Sequence, residues 1–175
     1  MDAIAVGIDF SKTSLAAMRL AGDIAARAKA DLYIIWVETV EEDLETAETK
    51  LQNFTKELQQ KLPENKVSYR IVNGRKVYTA LNAAVKECKA DLLVIGTHGN
   101  SGYDEKFAGA NAYKTITISY APVLTVRENF NFDKELERLV MPIDSTRDTR
   151  QKVPWTIEFS RMFPHTTIHV LGIHT

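Results

Sequence analysis

The feature that most limits how this chain folds is a regular alternation of short apolar runs with longer helical stretches. Residues 3–8 form an apolar run ending at Asp9. The Ala-rich stretch 14–29 then carries Leu15, Met18, Ala21, Ile24, Ala25 and Ala28 on one helical stripe. Residues 32–37 read as a second buried strand. Residues 42–62 read as a charged helix closed by Pro63, with Leu44, Ala47, Leu51, Phe54 and Leu58 turned inward. A third strand over 67–72 is broken by Asn73-Gly74. A helix over 77–88, a strand over 92–95, a helix over 108–119 and a strand over 123–126 follow. Strands alternating with helices imply parallel pairing through crossovers, and crossovers are right-handed. The expected α/β fold is a doubly wound five-stranded parallel sheet with helices on both faces, and residues 123–127 are expected at its edge.

The remaining residues start the pattern again. Residues 128–137 are polar with two phenylalanines and read as a linker. Then 139–144 (LVMPID) repeats 5–9 (AVGID), and 168–175 (IHVLGIHT) parallels 32–39 (LYIIWVET). Residues 138–175 are thus an incomplete β-α-β repeat, below the roughly 40 residues that normally fold alone. The expected domains are 1–127, the linker 128–137, and a partial second copy over 138–175. A truncated tandem protein is the expected origin; a natural short form, its extra unit docked on the first domain or on a partner, is the alternative.

Composition narrows the function classes. Of 175 residues, 45% are hydrophobic and 26% charged, an ordinary globular mixture. A formal net charge of −1 gives no electrostatic reason to expect nucleic acid or a membrane surface as partner. No apolar run approaches the roughly 20 residues of a membrane span. The N-terminus carries Asp2 and Asp9 and lacks a basic segment, unlike a secretory signal. Cys88 is the single cysteine, expected to be buried and inert, so neither a disulfide nor a paired-cysteine metal site is expected. These features point to a cytoplasmic protein.

Two places could carry chemistry. After the fourth strand the chain reads Gly96-Thr97-His98-Gly99-Asn100-Ser101-Gly102. Glycines between a strand and a helix can turn several backbone N–H groups toward a phosphate. Gly109-Ala110-Asn111, expected at the start of the fourth helix, would supply the other half of that cradle. Ordinary tight turns explain the same glycines. Asp9 ends the first strand, where open α/β sheets bind ligands, and is followed by Phe10-Ser11-Lys12-Thr13-Ser14. Its carboxylate suits ribose, adenine or a magnesium ion, while Ser11, Thr13 or Ser14 suits the N-cap of the next helix.

Residues 9–14 before an Ala-rich helix, 90–99 (ADLLVIGTHG) and 121–127 (APVLTVR) together resemble the universal stress protein family. The resemblance runs almost continuously to about residue 127, and 138–175 resembles the opening of a second copy. It implies the adenine nucleotide alpha hydrolase-like fold and a site for ATP or another adenine nucleotide, with or without Mg2+. Its ATP-binding members carry Gly, two residues, Gly, nine residues, Gly and then Ser or Thr; Gly96, Gly99 and Gly109 keep that spacing. The resemblance further implies that Asp9, Val37 and Ile95 border the adenosine, and that Gly96, Gly99 and Gly109 hold the phosphates. Ala110 departs from the pattern, since a hydroxyl is expected there. Its backbone N–H and the Asn111 amide remain, and nucleotide binding is expected to be weakened.

Ser11, Lys12 and His98 are possible additional phosphate contacts, against the plainer readings of a cap, a solvated lysine and an incidental loop histidine. Lys106 also flanks the expected pocket, with the same plain reading as Lys12. His165, His169 and His174 show no metal-ligand spacing, and no P-loop or G-x-G-x-x-G sequence occurs. Glu38, Glu41, Glu42, Asp43 and Glu45 suit the positive end of the second helix. No general base or activated nucleophile stands out, so any ATP hydrolysis is expected to be slow. The expected function is a nucleotide-dependent stress-response module, with a dimeric interaction module that binds no nucleotide as the alternative. The resemblance implies pairing through the last strand, hence a homodimer or a swapped assembly that also covers the partial repeat.

Overall fold

Strand β1 (Ala3–Ile8) is the centre from which the fold is built, because its side chains are apolar on both faces. A computed structural model of the chain describes residues 1–39, 43–97, 105–127, 129–130 and 136–173, with the backbone alone over 105–110. The elements that follow β1 are α1 (Lys12–Ala28), β2 (Asp31–Glu38), α2 (Leu44–Lys61), β3 (Val67–Asn73), α3 (Val77–Glu87), β4 (Leu92–Gly96), α4 (Glu105–Ile118) and β5 (Val123–Val126). They make one five-stranded sheet in the order β3-β2-β1-β4-β5, and every pairing is parallel. This is the doubly wound arrangement, with β5 at one edge and β3 at the other.

Burial follows the two-residue period of the strands. Ile4, Val6 and Ile8 are buried, as are Ala17, Ala21, Ile24 and Ala25 of α1, which packs on β1 and β4. Small residues along α1 let its axis approach the sheet closely. On the other face Ala5, Ile35 and Leu93 meet Leu81, Ala84 and Val85 of α3 in one apolar cluster. Gly7 belongs there too, since a Cβ on it would stand 2.9 Å from Leu81 Cδ2. Each such aliphatic side chain contributes about 1.5–3 kcal/mol when fully buried, so this sandwich is the main source of stability.

Helix ends are set by local chemistry. Asp43 caps α2, its side chain accepting from the Thr46 N–H at 3.0 Å. Leu44 is therefore the first helical residue, on the exposed side of the first turn; it is 45% exposed and does not face inward as its spacing suggested. Ala47, Leu51 and Leu58 are buried as expected. Helices α1 and α3 both end in the same manner. Lys29 and Lys89 take the left-handed conformation (φ 54° and 51°), and Ala30 and Ala90 donate back to the carbonyls of Ala25 and Val85. Asn65, itself buried, then donates to the carbonyls of Ala25 at 3.2 Å and Ala30 at 2.8 Å.

The chain divides into Met1–Phe130 and Asn131–Thr175. Within the second unit, β6 (Arg138–Ile143) pairs in parallel with β7 (Thr167–Gly172) through a 3-10 turn (Asp148–Gln151) and α5 (Lys152–Met162). Its sheet leaves Val140, Val170 and Leu171 exposed. The exit from β6 repeats three hydrogen bonds of the exit from β1. Asp9 Oδ1 accepts from the Ser11 N–H, and Asp144 Oδ1 from the Thr146 N–H. The Asp9 N–H donates to Ser14 Oγ and the Asp144 N–H to Thr149 Oγ1, both at 3.2 Å. The Ser14 and Thr149 hydroxyls in turn donate to the carbonyls of Ser11 and Thr146.

Candidate functional site

The sheet order decides where a ligand fits. From β1 the chain goes to β2 on one side, and from β4 it goes to β5 on the other. The two connections part at the carboxyl ends of β1 and β4, and such a switch point opens a crevice in α/β sheets. Asp9, Phe10 and Ser11 follow β1, while Gly96 ends β4 and Thr97 follows it.

On the β1 side, the polar groups form one small network. Asp9 is exposed, and its Oδ1 accepts from the Ser11 N–H at 3.0 Å. Ser11 is the N-cap of α1, accepting from the Ser14 N–H at 3.2 Å and sharing a hydrogen bond with Thr13 Oγ1 at 3.1 Å. The capping role expected for a hydroxyl in this stretch thus falls to Ser11. Lys12, exposed, is the first residue of α1. Phe10, between Asp9 and Ser11, has φ 62°. It is one of three non-glycine residues with positive φ among those described; Ser145, its counterpart after β6, is not another.

The β4 side is built on a close approach. A Cβ on Gly96 would lie 2.4 Å from the Thr13 carbonyl carbon and 2.6 Å from its oxygen. Only glycine lets the end of β4 rest against the first turn of α1, so the fold itself requires it. Thr97 continues along β5, its N–H donating to the Val126 carbonyl at 2.7 Å. Val37 and Ile95 are each 6% exposed and belong to the apolar cluster beneath α3, as does Ala5 of β1, the strand between theirs. By strand alternation Asp9 continues that same face beyond Gly7.

The fourth helix corrects one expectation. It begins at Glu105, not Ala108, so Gly109 and Ala110 lie within its second turn rather than in a turn before it. Glu105 suits the positive end of a helix, and one interior glycine costs only about 1 kcal/mol, so Gly109 does not stop the helix from starting earlier. Asn111 is half-buried in the same helix. His98 and Gly99 lie outside the described residues, as do Glu41 and Glu42 and the side chain of Lys106.

Other groups resolve into structural roles. The N–H and then the hydroxyl of Thr46 hold the Asp43 carboxyl below the usual carboxylate range. Burial pushes the Cys88 thiol up, against the opposing pull of Arg70, which leaves it protonated. No helix among the described residues is long and apolar enough to cross a membrane.

Sequence reasoning missed the residues around Phe10. Its ring lies 6.0 Å from that of Trp36 and 6.4 Å from that of Phe54, and Lys50 Nζ stands 4.8 Å over it. An aromatic residue between a strand-ending aspartate and a helix-capping serine was the available signal.

Comparison with known proteins agrees with this geometry. Residues 1–127 match the model of the Universal stress protein family. A universal stress protein of Mycolicibacterium smegmatis is 29% identical over 135 residues, 71% of this chain and 45% of the relative. One from Thermus aquaticus is 39% identical over 57 residues, 33% of this chain and 41% of the relative. The matches therefore span less than half the length of either curated relative. Among solved structures, a universal stress protein in complex with cAMP is 28% identical with TM-score 0.55, over 71% of this chain and 96% of that one. The Archaeoglobus fulgidus protein in complex with dAMP, 19% identical with TM-score 0.57 over 72% and 98% of the two chains, shares the fold. So does a Pseudomonas aeruginosa chain solved as a candidate member of the family, 15% identical with TM-score 0.76 over 99% of this chain and 62% of that one.

Proposed function

The chain belongs to the universal stress protein family, and we propose that it binds an adenine nucleotide, ATP in the first instance, in the crevice at the carboxyl ends of β1 and β4. In this reading Asp9, Val37 and Ile95 border the adenosine, and Gly96, Gly99, Gly109, Ala110 and Asn111 surround the phosphates. Ser11, Lys12 and His98 are secondary phosphate contacts. The observation that carries the reading is the switch point itself, with Asp9 on one lip and Gly96 on the other. The cAMP complex of the structure 28% identical to this chain supports an adenine nucleotide as the ligand class. A magnesium ion bound with ATP would neutralise phosphate charge, and Asp9 supplies a carboxylate suited to it at the mouth of the crevice. Bound nucleotide would act by changing which partners the domain engages in a cytoplasmic stress response.

A second reading is a dimeric interaction module that binds no nucleotide. Two observations favour it. Gly96 is required by packing against Thr13 whether or not a phosphate is present, and Ala110 lacks a hydroxyl. Homodimer formation through β5 belongs to both readings, supported by β5 standing at the edge of the sheet among the described residues and by Tyr113, Ile116 and Tyr120 exposed beside it in the chain. We read 138–175 as the opening of a second copy of the domain, on the strength of the repeated network at Asp9 and Asp144. A swapped assembly that covers β6 and β7 is compatible with it.

Titration of purified protein with a fluorescent ATP analogue separates the two readings. Saturable binding displaced by ATP is expected. Absence of binding at millimolar nucleotide, in Ala110→Ser as well as in the natural chain, would sink the first reading.

A further inference from the structure

Phe10 has a backbone conformation that its residue type resists. With φ 62° it occupies the left-handed region, where glycine sits freely and an aromatic residue is an outlier. Such outliers persist only where surrounding contacts over-determine them, and they gather at ligand sites. The contacts here come from two other elements. Trp36 of β2 lies 6.0 Å from the Phe10 ring and Phe54 of α2 lies 6.4 Å away. Lys50, one turn before Phe54 on the same face of α2, places Nζ 4.8 Å over the ring. The backbone on either side of Phe10 is the machinery of the crevice: Asp9 before it and Ser11 after it, joined by the Ser11 N–H to Asp9 Oδ1 bond at 3.0 Å.

We propose that Phe10 is a positioning residue, its ring anchored on Trp36 and Phe54 so that the strained turn holds the Asp9 carboxylate at the mouth of the crevice. Its effect on ligand affinity rests on the nucleotide-binding reading; its effect on the turn does not. A glycine at this position would tolerate the same φ yet lose the anchor, leaving Asp9 and Ser11 free to sample other geometries. Aspartate placement would then depend on two elements, β2 and α2, that do not themselves carry the carboxylate.

The test uses the full chain in three forms: natural, Phe10→Gly and Phe10→Tyr. Hydrogen exchange at the Ser11 amide reads the turn directly. Titration with a fluorescent ATP analogue reads the site, in both the natural and Asp9→Ala backgrounds. Phe10→Gly is expected to lose Ser11 protection and about tenfold in affinity, and Phe10→Tyr to restore both. In the Asp9→Ala background Phe10→Gly is expected to add no further loss, because the ring acts through that carboxylate. A mere loss of stability would instead add to the Asp9 effect. Unchanged affinity in Phe10→Gly, or additive losses, would overturn the proposal. If the natural chain binds no adenine nucleotide at millimolar concentration, the nucleotide reading fails and the Ser11 amide alone decides. Retained protection in Phe10→Gly then rejects the anchoring role. Should the glycine variant not fold, Phe10→Leu, which also lacks the aromatic ring, is read by the same outcomes.

Discussion

Gly96 and Thr13 are separated by most of the first unit in sequence, yet a methyl group on Gly96 would lie 2.4 Å from the Thr13 carbonyl carbon. The obstacle is backbone, which a rotamer change cannot move. Gly96→Ala is therefore expected to destabilise the first unit by about 1–3 kcal/mol or more, in the absence of any nucleotide. Urea unfolding of the two proteins measures it. An unchanged midpoint would mean that the end of β4 can part from α1 at no cost.

On the nucleotide-binding reading, Ala110→Ser supplies the hydroxyl that the resemblance to ATP-binding family members implies after Gly96, Gly99 and Gly109. One added hydrogen bond to a charged phosphate corresponds to an affinity gain of about ten- to a hundredfold. Competition titration with ATP reads the change. A gain for ATP without one for adenosine would locate the effect at the phosphates.

Lys29 and Lys89 hold φ values of 54° and 51° at the ends of α1 and α3. Glycine adopts this region without the penalty of a Cβ. Lys29→Gly and Lys89→Gly are each expected to stabilise the first unit by up to about 1 kcal/mol, after the greater freedom of glycine in the unfolded chain is deducted. Thermal melts should show higher midpoints, and the double variant should show roughly the sum.

Asn65 uses its amide to satisfy two carbonyls, those of Ala25 and Ala30, at the junction of α1 and β2. Asn65→Ala leaves both without that donor in a buried setting and is expected to cost about 1–3 kcal/mol. Denaturant unfolding measures the loss. Asn65→Asp, which removes the NH2 donor while keeping the shape, is expected to be at least as damaging.

Asp43 gives the pH dependence a definite sign. The Thr46 N–H and hydroxyl lower its folded pKa, so the carboxylate adds stability above the unfolded value of about 3.9. That contribution is lost as pH falls through the lowered folded value. Asp43→Ala is accordingly expected to melt below the natural chain at pH 7, with the gap closing at low pH. Melts across that range decide it; a gap independent of pH would assign the cap to shape alone.

What the sequence made legible was whatever depends on neighbours in the chain. The alternation of runs led to the doubly wound parallel sheet, and the Asp9–Ser14 stretch led to a cap, because both are local patterns. Leu44 misled because apolar spacing places a residue on a stripe without saying that the cap leaves its first turn in solvent. The start of α4 was missed because the Gly-Ala pair was read as a boundary, while residues 105–108 before it already belong to the helix. Gly96 was read as a possible phosphate cradle, although its packing demand comes from Thr13 across the fold. The left-handed turn at Phe10 was invisible for a related reason: nothing local favours it, and the rings that impose it arrive from β2 and α2.

The network shared by Asp9 and Asp144 has a consequence for the order of assembly. Each copy is closed by bonds between residues at most five positions apart, so it has very low contact order and needs no sheet to begin forming. Gly96 meets the Thr13 backbone only when distant segments dock. One lip of the crevice is thus available early in folding as a preformed corner, and the other is the signature that the whole domain has closed.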